Sequence, residues 1–442
     1  MITLPQDVSK IISILEEAGY EAYAVGGCVR DSILGKEPND WDITTSALPS
    51  QVKDLFARTI DTGLIHGTVT VMMHHVGYEI TTYRVDGEYE DARHPKEVTF
   101  TRDLAEDLKR RDFTINAMAY NETQGLVDLF GGMEDLRRGM IRAVGDPVER
   151  FTEDALRMMR AVRFAAQLGY FIEEETFRAI QEMAQSLTKI SAERIQAELV
   201  KLLVSDHPEH MGLLFESGIT KVIMPQFDRM METGQNNPHH CYSVGMHTIH
   251  AMEHVRGDKV LRLVMLFHDM GKPDTKTTDE KGIDHFHGHA KVSEQHAKQI
   301  LRELKFDNDT LHKVTKLTFW HDHKIHANPK SVRRALNELG EELFLLLLEV
   351  KRADIFAQST FKRDEKIEEL QKLEEIYHRI KESRECFCLK ELAVSGQDLI
   401  ALGMKPGPEI GKMLHQLLEI VLEDPSKNEK ENLLCVASKS IF

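Results

Sequence analysis

The chain has 442 residues, 41% hydrophobic and 29% charged, a composition that excludes disordered and fibrous classes and gives a length of about three globular domains. A formal charge of −16 excludes a uniformly nucleic-acid-coating surface and leaves room only for a local basic track. No apolar run reaches membrane length, and the start, Met-Ile-Thr-Leu-Pro-Gln-Asp, has no basic segment leading into an apolar one; with five scattered cysteines, no membrane span and a reducing cytoplasm are expected.

Residues 4–18 read as an amphipathic helix with Val8, Ile11, Ile12 and Leu15 on one side. An apolar strand from Tyr20 to Val25 then ends in Gly26-Gly27, which lets the backbone turn tightly and approach a ligand, and Val29 to Leu34 reads as a short helix. A second strand is predicted over Asp40 to Thr44. Alternation puts Asp40 and Asp42 on one face and Trp41 and Ile43 on the other. Two neighbouring carboxylates repel unless a cation neutralises them, so this pair beside a glycine turn suggests Mg2+ and a polyphosphate.

A helix is predicted from Pro49 to Ala57 and a strand pair over Thr68 to Met73 and Tyr78 to Arg84. Glu79 is either a third carboxylate for the metal or a surface-strand glutamate, depending on sheet order. The polar stretch from Val85 to Phe100 reads as a long loop or hairpin. Helix resumes at Leu104 and leads into Arg110-Arg111-Asp112-Phe113-Thr114-Ile115-Asn116-Ala117, where charges entering an apolar segment require partners. Val127 to Gly132 closes this first region with a glycine turn.

One helix is predicted behind Pro147, running on towards Tyr170. Along it Glu153, Arg157 and Arg160 stand at i, i+4 and i+7, with Asp154 and Arg157 neighbours at i+3. Either these are salt bridges on a solvated face, or they form a rigid rack that hydrogen-bonds a base edge. The arginine concentration of Arg137, Arg138, Arg142, Arg150, Arg157, Arg160 and Arg163 is either a solvated helix face or an RNA track.

Four of these motifs, in this order, resemble the class II tRNA nucleotidyltransferases, the CCA-adding enzymes, and the related bacterial poly(A) polymerases: Gly26-Gly27 to Arg30-Asp31, Asp40/Asp42, Arg110 to Ala117, and Glu153-Asp154-x-x-Arg157. The resemblance covers about residues 20–200. It implies an α+β chain in which a polymerase-beta-like head with a mixed sheet precedes an all-helical neck, body and tail. It implies Mg2+ held by Asp40 and Asp42 as catalytic residues, with Glu79 as a third candidate. The implied nucleotide-binding set is Gly26, Gly27, Arg30, Arg111, Asp112, Asn116, Asp154, Arg157, Arg160 and Arg163. Its implied partners are CTP, ATP and the 3' end and acceptor/TΨC region of tRNA. The segment Thr62-Gly63-Leu64-Ile65-His66-Gly67-Thr68 resembles the CCA-adding side, where poly(A) polymerases tend to carry a basic Gly-Arg-Arg-Phe-like stretch.

Gly234 to Pro238 reads as a linker, after which histidines accumulate: His247 in an apolar helix, His268-Asp269 closing an apolar run before Gly271-Lys272, then His289, His321 and Asp354. Imidazoles and carboxylates at helix spacing suit divalent cations. Residues 238–360 resemble the HD metal-dependent phosphohydrolases. That resemblance implies His247, His268, Asp269 and Asp354 as core ligands, His289 and His321 as ligands of a two-metal centre, and Mn2+, Ni2+ or Co2+ as the cation. The expected division is therefore 1–140 head, 141–237 neck and body, 238–360 HD domain and 361–442 tail, in which Gly403 to Gly411 forms a turn before a helix. The combined expectation is template-free CCA addition with release of pyrophosphate and an accessory phosphohydrolase. The alternatives are a poly(A) polymerase, a CC-only or A-only enzyme, and an HD hydrolase with a regulatory head. A non-catalytic RNA-binding module is disfavoured by 7% aromatic content and the negative charge.

Overall fold

The structure is a computed structural model that describes residues 2–64, 67–86, 98–239 and 241–441. It separates into two compact units, Met1–Pro225 and Gln226–Phe442.

In the first unit, α1 (Gln6–Glu17) buries Val8, Ile11, Ile12 and Leu15, the stripe its periodicity specifies. Each such aliphatic side chain contributes about 1.5–3 kcal/mol relative to exposure. β1 (Ala22–Val25), α2 (Gly27–Ile33), β2 (Ile43–Thr45), α3 (Pro49–Leu55), β3 (Thr59–Gly63), β4 (Thr68–Met73) and β5 (Val76–Thr82) follow. β6 (Arg84–Asp86) and β7 (Val98–Phe100) pair antiparallel, so the predicted 85–100 loop is stemmed like a hairpin. Its residues 87–97, like Ile65 and His66 of the family-discriminating segment, lie outside the described residues.

After α4 (Leu104–Lys109), strands β8 (Met118–Asn121) and β9 (Gly125–Asp128) complete a seven-stranded sheet ordered β3-β4-β5-β2-β1-β8-β9. The sheet is mixed: β2 and β5 run parallel, with Ile43 opposite Ile80, and the other neighbours run antiparallel. Tyr23, Val25, Tyr83, Leu104, Leu108 and Ala119 form a core cluster beneath it.

Beyond the sheet come α5 (Gly132–Arg138), β10 (Met140–Ile141), α6 (Pro147–Glu153), α7 (Leu156–Leu168), β11 (Phe171–Ile172), α8 (Glu174–Met183), α9 (Ala192–Leu203), α10 (Met211–Glu216) and α11 (Ile219–Ile223). The single helix predicted from Pro147 to near Tyr170 is in fact two. Asp154 adopts an extended backbone (φ −143°, ψ 102°) and its carboxylate accepts the N–H of Leu156, the first residue of the second helix, at 3.1 Å, which stabilises the break. The strand predicted over Asp40–Thr44 is also shorter: it begins at Ile43, which leaves both aspartates in the preceding segment.

The second unit opens with most of α12 (Pro225–Glu232) and continues through α13 (Val244–Glu253), α14 (Lys259–Phe267), α15 (Lys272–Thr275), a small hairpin of β12 (Thr277–Thr278) and β13 (Asp284–His285), α16 (His289–Glu303), α17 (Asn308–Trp320), α18 (Pro329–Leu339) and α19 (Glu341–Ala357). The apolar run of α14 is buried from Leu261 to Phe267, with α13, α16, α17 and α19 packed around it. α20 (Arg363–Glu382), α21 (Gly396–Ala401), α22 (Pro408–Glu423) and α23 (Lys430–Ile441) complete the chain. Of the Gly403–Gly411 segment, Gly403–Gly407 precedes the helix, while Pro408–Gly411 already forms the first turn of α22.

Candidate active site and candidate metal centre

The first candidate site lies where β1 turns into α2. Gly26 has φ +81°, a conformation that favours glycine, and a Cβ there would stand 3.1 Å from Arg111 Nη1 and press on that guanidinium. Arg111 is anchored at the end of α4 by the fully buried Asp107, 3.4 Å away. Asp107 also takes Arg110 at 2.7 Å and the Thr44 hydroxyl at 3.0 Å. Burial would raise the Asp107 carboxyl, but the two guanidiniums outweigh it and hold it low. Asp107 is thus the partner the arginine pair required, and Asp112 is not.

Asp112 instead accepts from Arg160 Nε at 2.8 Å and Nη2 at 2.6 Å, and from Asn116 Nδ2 at 3.1 Å. Burial opposes its ionisation; the Arg160 charge and these hydrogen bonds override it and keep the carboxyl well below the usual range. Asn116 Oδ1 in turn accepts from Arg30 Nη1 at 2.6 Å, and Arg30 also pairs with Asp31 at 2.7 Å. Arg163 pairs with Glu198 of α9 at 2.7 Å and lies 3.6 Å above the Phe164 ring, which Arg30 and Arg160 also approach, at 5.1 and 5.3 Å. Gly26, Gly27, Arg30, Arg111, Asp112, Asn116, Arg160 and Arg163 therefore form one continuous neighbourhood. The aromatic Phe164 and the carboxylates Asp107 and Glu198 that keep its arginines apart were not singled out from the sequence.

Asp154 and Arg157 are not side-chain partners, contrary to their i+3 spacing, because Asp154 stands between the two helices. Its carboxylate accepts from Arg194 of α9 at 2.7 and 3.3 Å. Arg157 is held by Glu153 and by the carbonyls of Arg150 (3.1 Å) and Arg110 (2.9 Å). Both groups are therefore oriented, each by its own support.

Asp40 and Asp42 are exposed beside this neighbourhood. Desolvation raises the Asp42 carboxyl; Arg111 opposes that shift and Asp40 adds to it. Glu79 is also exposed. The register sets it one residue before Ile80, as Asp42 is one before the paired Ile43, so sheet order does place the two side by side. The three carboxylates do not form a compact ligand set. Among the described residues, the sets whose ligand atoms all lie within 4.8 Å of one another are His247, His268 and Asp354, and Asp269, His289 and His321.

Helix ends build this second site. His268 and His321 follow the last residues of α14 and α17, and His289 opens α16. Each turns Nδ1 to a carbonyl three residues earlier: Met265 at 2.6 Å, Thr318 at 2.6 Å and Phe286 at 2.9 Å. A carbonyl only accepts, so Nδ1 carries the proton and Nε2 of each neutral ring presents a lone pair. Those nitrogens converge: His268 Nε2 is 3.3 Å from His247 Nε2, and His289 Nε2 is 3.1 Å from His321 Nε2. Asp269 joins the two sets, with Oδ2 3.3 Å from His268 and Oδ1 3.3 Å from His289, while Asp354 Oδ1 is 2.9 Å from His247 Nε2. The buried Asp269 Oδ2 accepts no well-directed hydrogen bond, although the Lys272 ammonium lies 2.7 Å away. Facing lone pairs and buried carboxylates repel one another unless protons or cations lie between them. The six residues thus fit a divalent-cation centre in their donor chemistry.

The fold and the first site define a nucleotidyltransferase: a mixed-sheet head followed by an extensive helical region. The Poly A polymerase head domain model matches residues 22–142, a model described as "Probable RNA and SrmB- binding site of polymerase A" matches 169–231, and a tRNA nucleotidyltransferase domain 2 model matches 275–437. The CCA-adding enzyme of Levilactobacillus brevis is 38% identical over 97% of this chain and 96% of its own length; that of Limosilactobacillus fermentum is 37% identical over 99% and 98%. The crystal structure of the Bacillus stearothermophilus CCA-adding enzyme in complex with CTP superposes with a TM-score of 0.75 at 31% identity, covering 99% of this chain and 98% of that one. The chain belongs to the CCA-adding enzyme family, the tRNA nucleotidyltransferases. Among the described residues, no helix is long and apolar enough to cross a membrane.

Proposed function

We propose that this protein adds C, C and A to the tRNA 3' end from CTP and ATP, without a nucleic-acid template and with release of pyrophosphate, in the cytoplasm. The observation that carries this reading is similarity along the whole chain to CCA-adding enzymes, one of them a structure with CTP. Asp40 and Asp42, with Glu79 as a third candidate, would hold Mg2+, which supplies charge neutralisation at the reacting phosphates. Gly26, Gly27, Arg30 and Arg111 line the triphosphate's place, where the glycine turn lets the backbone approach and guanidiniums donate to phosphate oxygens. Asp112, Asn116, Arg160 and Arg163 brace that wall, and Asp154 and Arg157 read the base edge. The test incubates tRNA lacking CCA, ending in CC or ending in CCA with CTP and ATP, and sizes the products. Growth by the missing residues and then arrest supports the reading. Open-ended A addition to unrelated RNA would assign a poly(A) polymerase, and growth by CC or A alone a partial enzyme.

We further propose an HD-type phosphohydrolase centre within a chain divided as head 1–140, neck and body 141–237, HD domain 238–360 and tail 361–442. The specific support is the convergence of four imidazole Nε2 atoms and two aspartates. A set of mixed nitrogen and oxygen donors favours Mn2+, Ni2+ or Co2+. The bound cation would supply an activated water, and a 2',3'-cyclic or terminal phosphate blocking a tRNA 3' end is the substrate that family resemblance suggests. His268→Ala and Asp269→Ala should lose bound metal and hydrolysis of 2',3'-cyclic AMP while keeping CCA addition. Wild-type protein that binds none of these metals overturns this second reading and leaves the first intact.

A further inference from the structure

The cavity over the second unit's histidine and aspartate residues has a volume of about 470 Å³, and its wall holds five lysine or histidine side chains that are not in the ligand sets: His239, Lys272, His285, His287 and Lys366. The lysines around this centre differ in what they already bind. Lys272 is paired with Asp269 at 2.7 Å and also donates to Gln235 at 2.8 Å. Lys351, outside the wall, donates to the carbonyls of His321 (2.6 Å) and His323 (2.9 Å). Lys366 is half-buried on α20, and its neighbours are the Gln358 Oε1 atom and His239 Nδ1 at 3.2 Å, both neutral acceptors. Among the described residues no carboxylate forms a direct ion pair with it, and the Asp354 charge acts on it only from beyond ion-pair distance.

The position of that ammonium is built. Gln358, whose Oε1 accepts the lysine's hydrogen bond, donates from its own Nε2 to Asp354 Oδ2 at 2.9 Å, so the lysine is tied to the far oxygen of a candidate ligand. On the other side, the Ser359 hydroxyl donates to the Pro238 carbonyl at 2.6 Å and the Ser359 N–H to the His239 carbonyl at 2.8 Å, which pins the 237–239 segment to the end of α19. The His239 ring packs edge-on against Phe361 at 5.0 Å. A cation in the wall of the same cavity as a candidate metal centre is placed for the oxygens of a phosphate.

We infer that Lys366, backed by His239, forms an anion subsite that holds a non-reacting oxygen of a phosphoester at this centre. The inference rests on the metal-centre reading and names the contact that fixes the substrate independently of the metal. The ligand class is a phosphate monoester or diester, whether a free nucleotide or an RNA end.

The test loads wild type, Lys366→Gln, Lys366→Arg and His239→Ala with Mn2+. It measures bound Mn2+ per chain, inorganic phosphate affinity from Mn2+-induced broadening of the phosphorus resonance, and KM and kcat for 2',3'-cyclic AMP. Expected for Lys366→Gln are unchanged Mn2+ content, about tenfold weaker phosphate binding, a KM raised by about the same factor and kcat within about twofold. Lys366→Arg should retain most of the affinity, His239→Ala should lose part of it, and CCA addition should be unaffected in all three. Lys366→Gln with full Mn2+ content and wild-type phosphate affinity overturns the subsite alone. Wild-type protein that takes up no Mn2+ overturns the metal-centre reading, and the subsite with it.

Discussion

The base-reading assignment makes the sharpest prediction, because the structure gives Asp154 and Arg157 separate supports. Arg157 is braced by Glu153 and two carbonyls and keeps its orientation when Asp154 changes; Asp154 depends on Arg194. A matched base-edge contact is worth about 1–3 kcal/mol of discrimination, or about 5- to 150-fold. Asp154→Asn replaces one acceptor oxygen by a donor and should therefore lower the preference for CTP and ATP over UTP and GTP by a factor in that range. Arg194→Ala removes a pair whose side chains are 24% and 19% exposed. With solvent screening it should cost about 1–2 kcal/mol of stability, or a melting temperature lower by about 2–8 °C, and part of the same selectivity. Since Arg194 acts through Asp154, the double variant should be no less selective than Asp154→Asn alone. The assay is single-nucleotide incorporation on tRNA lacking CCA, with kcat/KM measured for all four triphosphates. Unchanged selectivity in Asp154→Asn would refute base reading; selectivity losses that add would refute the route through Asp154.

Asp40→Ala and Asp42→Ala should each reduce CMP incorporation by at least about 10³-fold with an unchanged melting temperature, measured at saturating Mg2+; near-normal incorporation in both would remove the aspartates from the chemistry. Gly26→Ala should destabilise the first unit by about 1–3 kcal/mol and raise the KM for CTP, because it strains a φ of +81° and pushes on Arg111; urea denaturation and initial rates check both. Asp112 is held below its ordinary 3.8, so its contribution is complete above about pH 4 and fades as pH falls through its lower folded value. Asp112→Asn should cost about 2–4 kcal/mol in urea at pH 7 and narrow its deficit below pH 4.

The parts of the fold legible in the sequence are those whose period is set by one helix or strand facing one core. The α1 stripe of Val8, Ile11, Ile12 and Leu15 is such a case, and so is the strand over Thr68–Met73. What escaped depends on a local contest between backbone and side chain. The Asp154 carboxylate competes for the Leu156 N–H, and one predicted helix becomes two. Asp40–Trp41–Asp42 alternates as a strand does, but β2 starts only at Ile43, where Ala24 and Ile80 pair with it. The same distinction governs the sites. Which residues gather was legible where a motif is contiguous, as in Gly26-Gly27 and Arg110–Asn116. Who neutralises whom was not: Glu198 and Arg194 reach their partners through tertiary contacts, and only Asp107 has a helical spacing, three and four residues before Arg110 and Arg111, that could have announced it. The histidine centre shows the converse. Its six residues come from five separate places in the chain, and what could be read in advance was that His268-Asp269 closes an apolar run. At such ends an imidazole can cap an orphan carbonyl through Nδ1 and is thereby forced to present Nε2 inward. Two helix C-termini, those of α14 and α17, obey that one rule, and His289 at the start of α16 makes the same Nδ1 contact to the carbonyl of Phe286, so the gathering of lone pairs follows from carbonyl-bound Nδ1 atoms as much as from any metal.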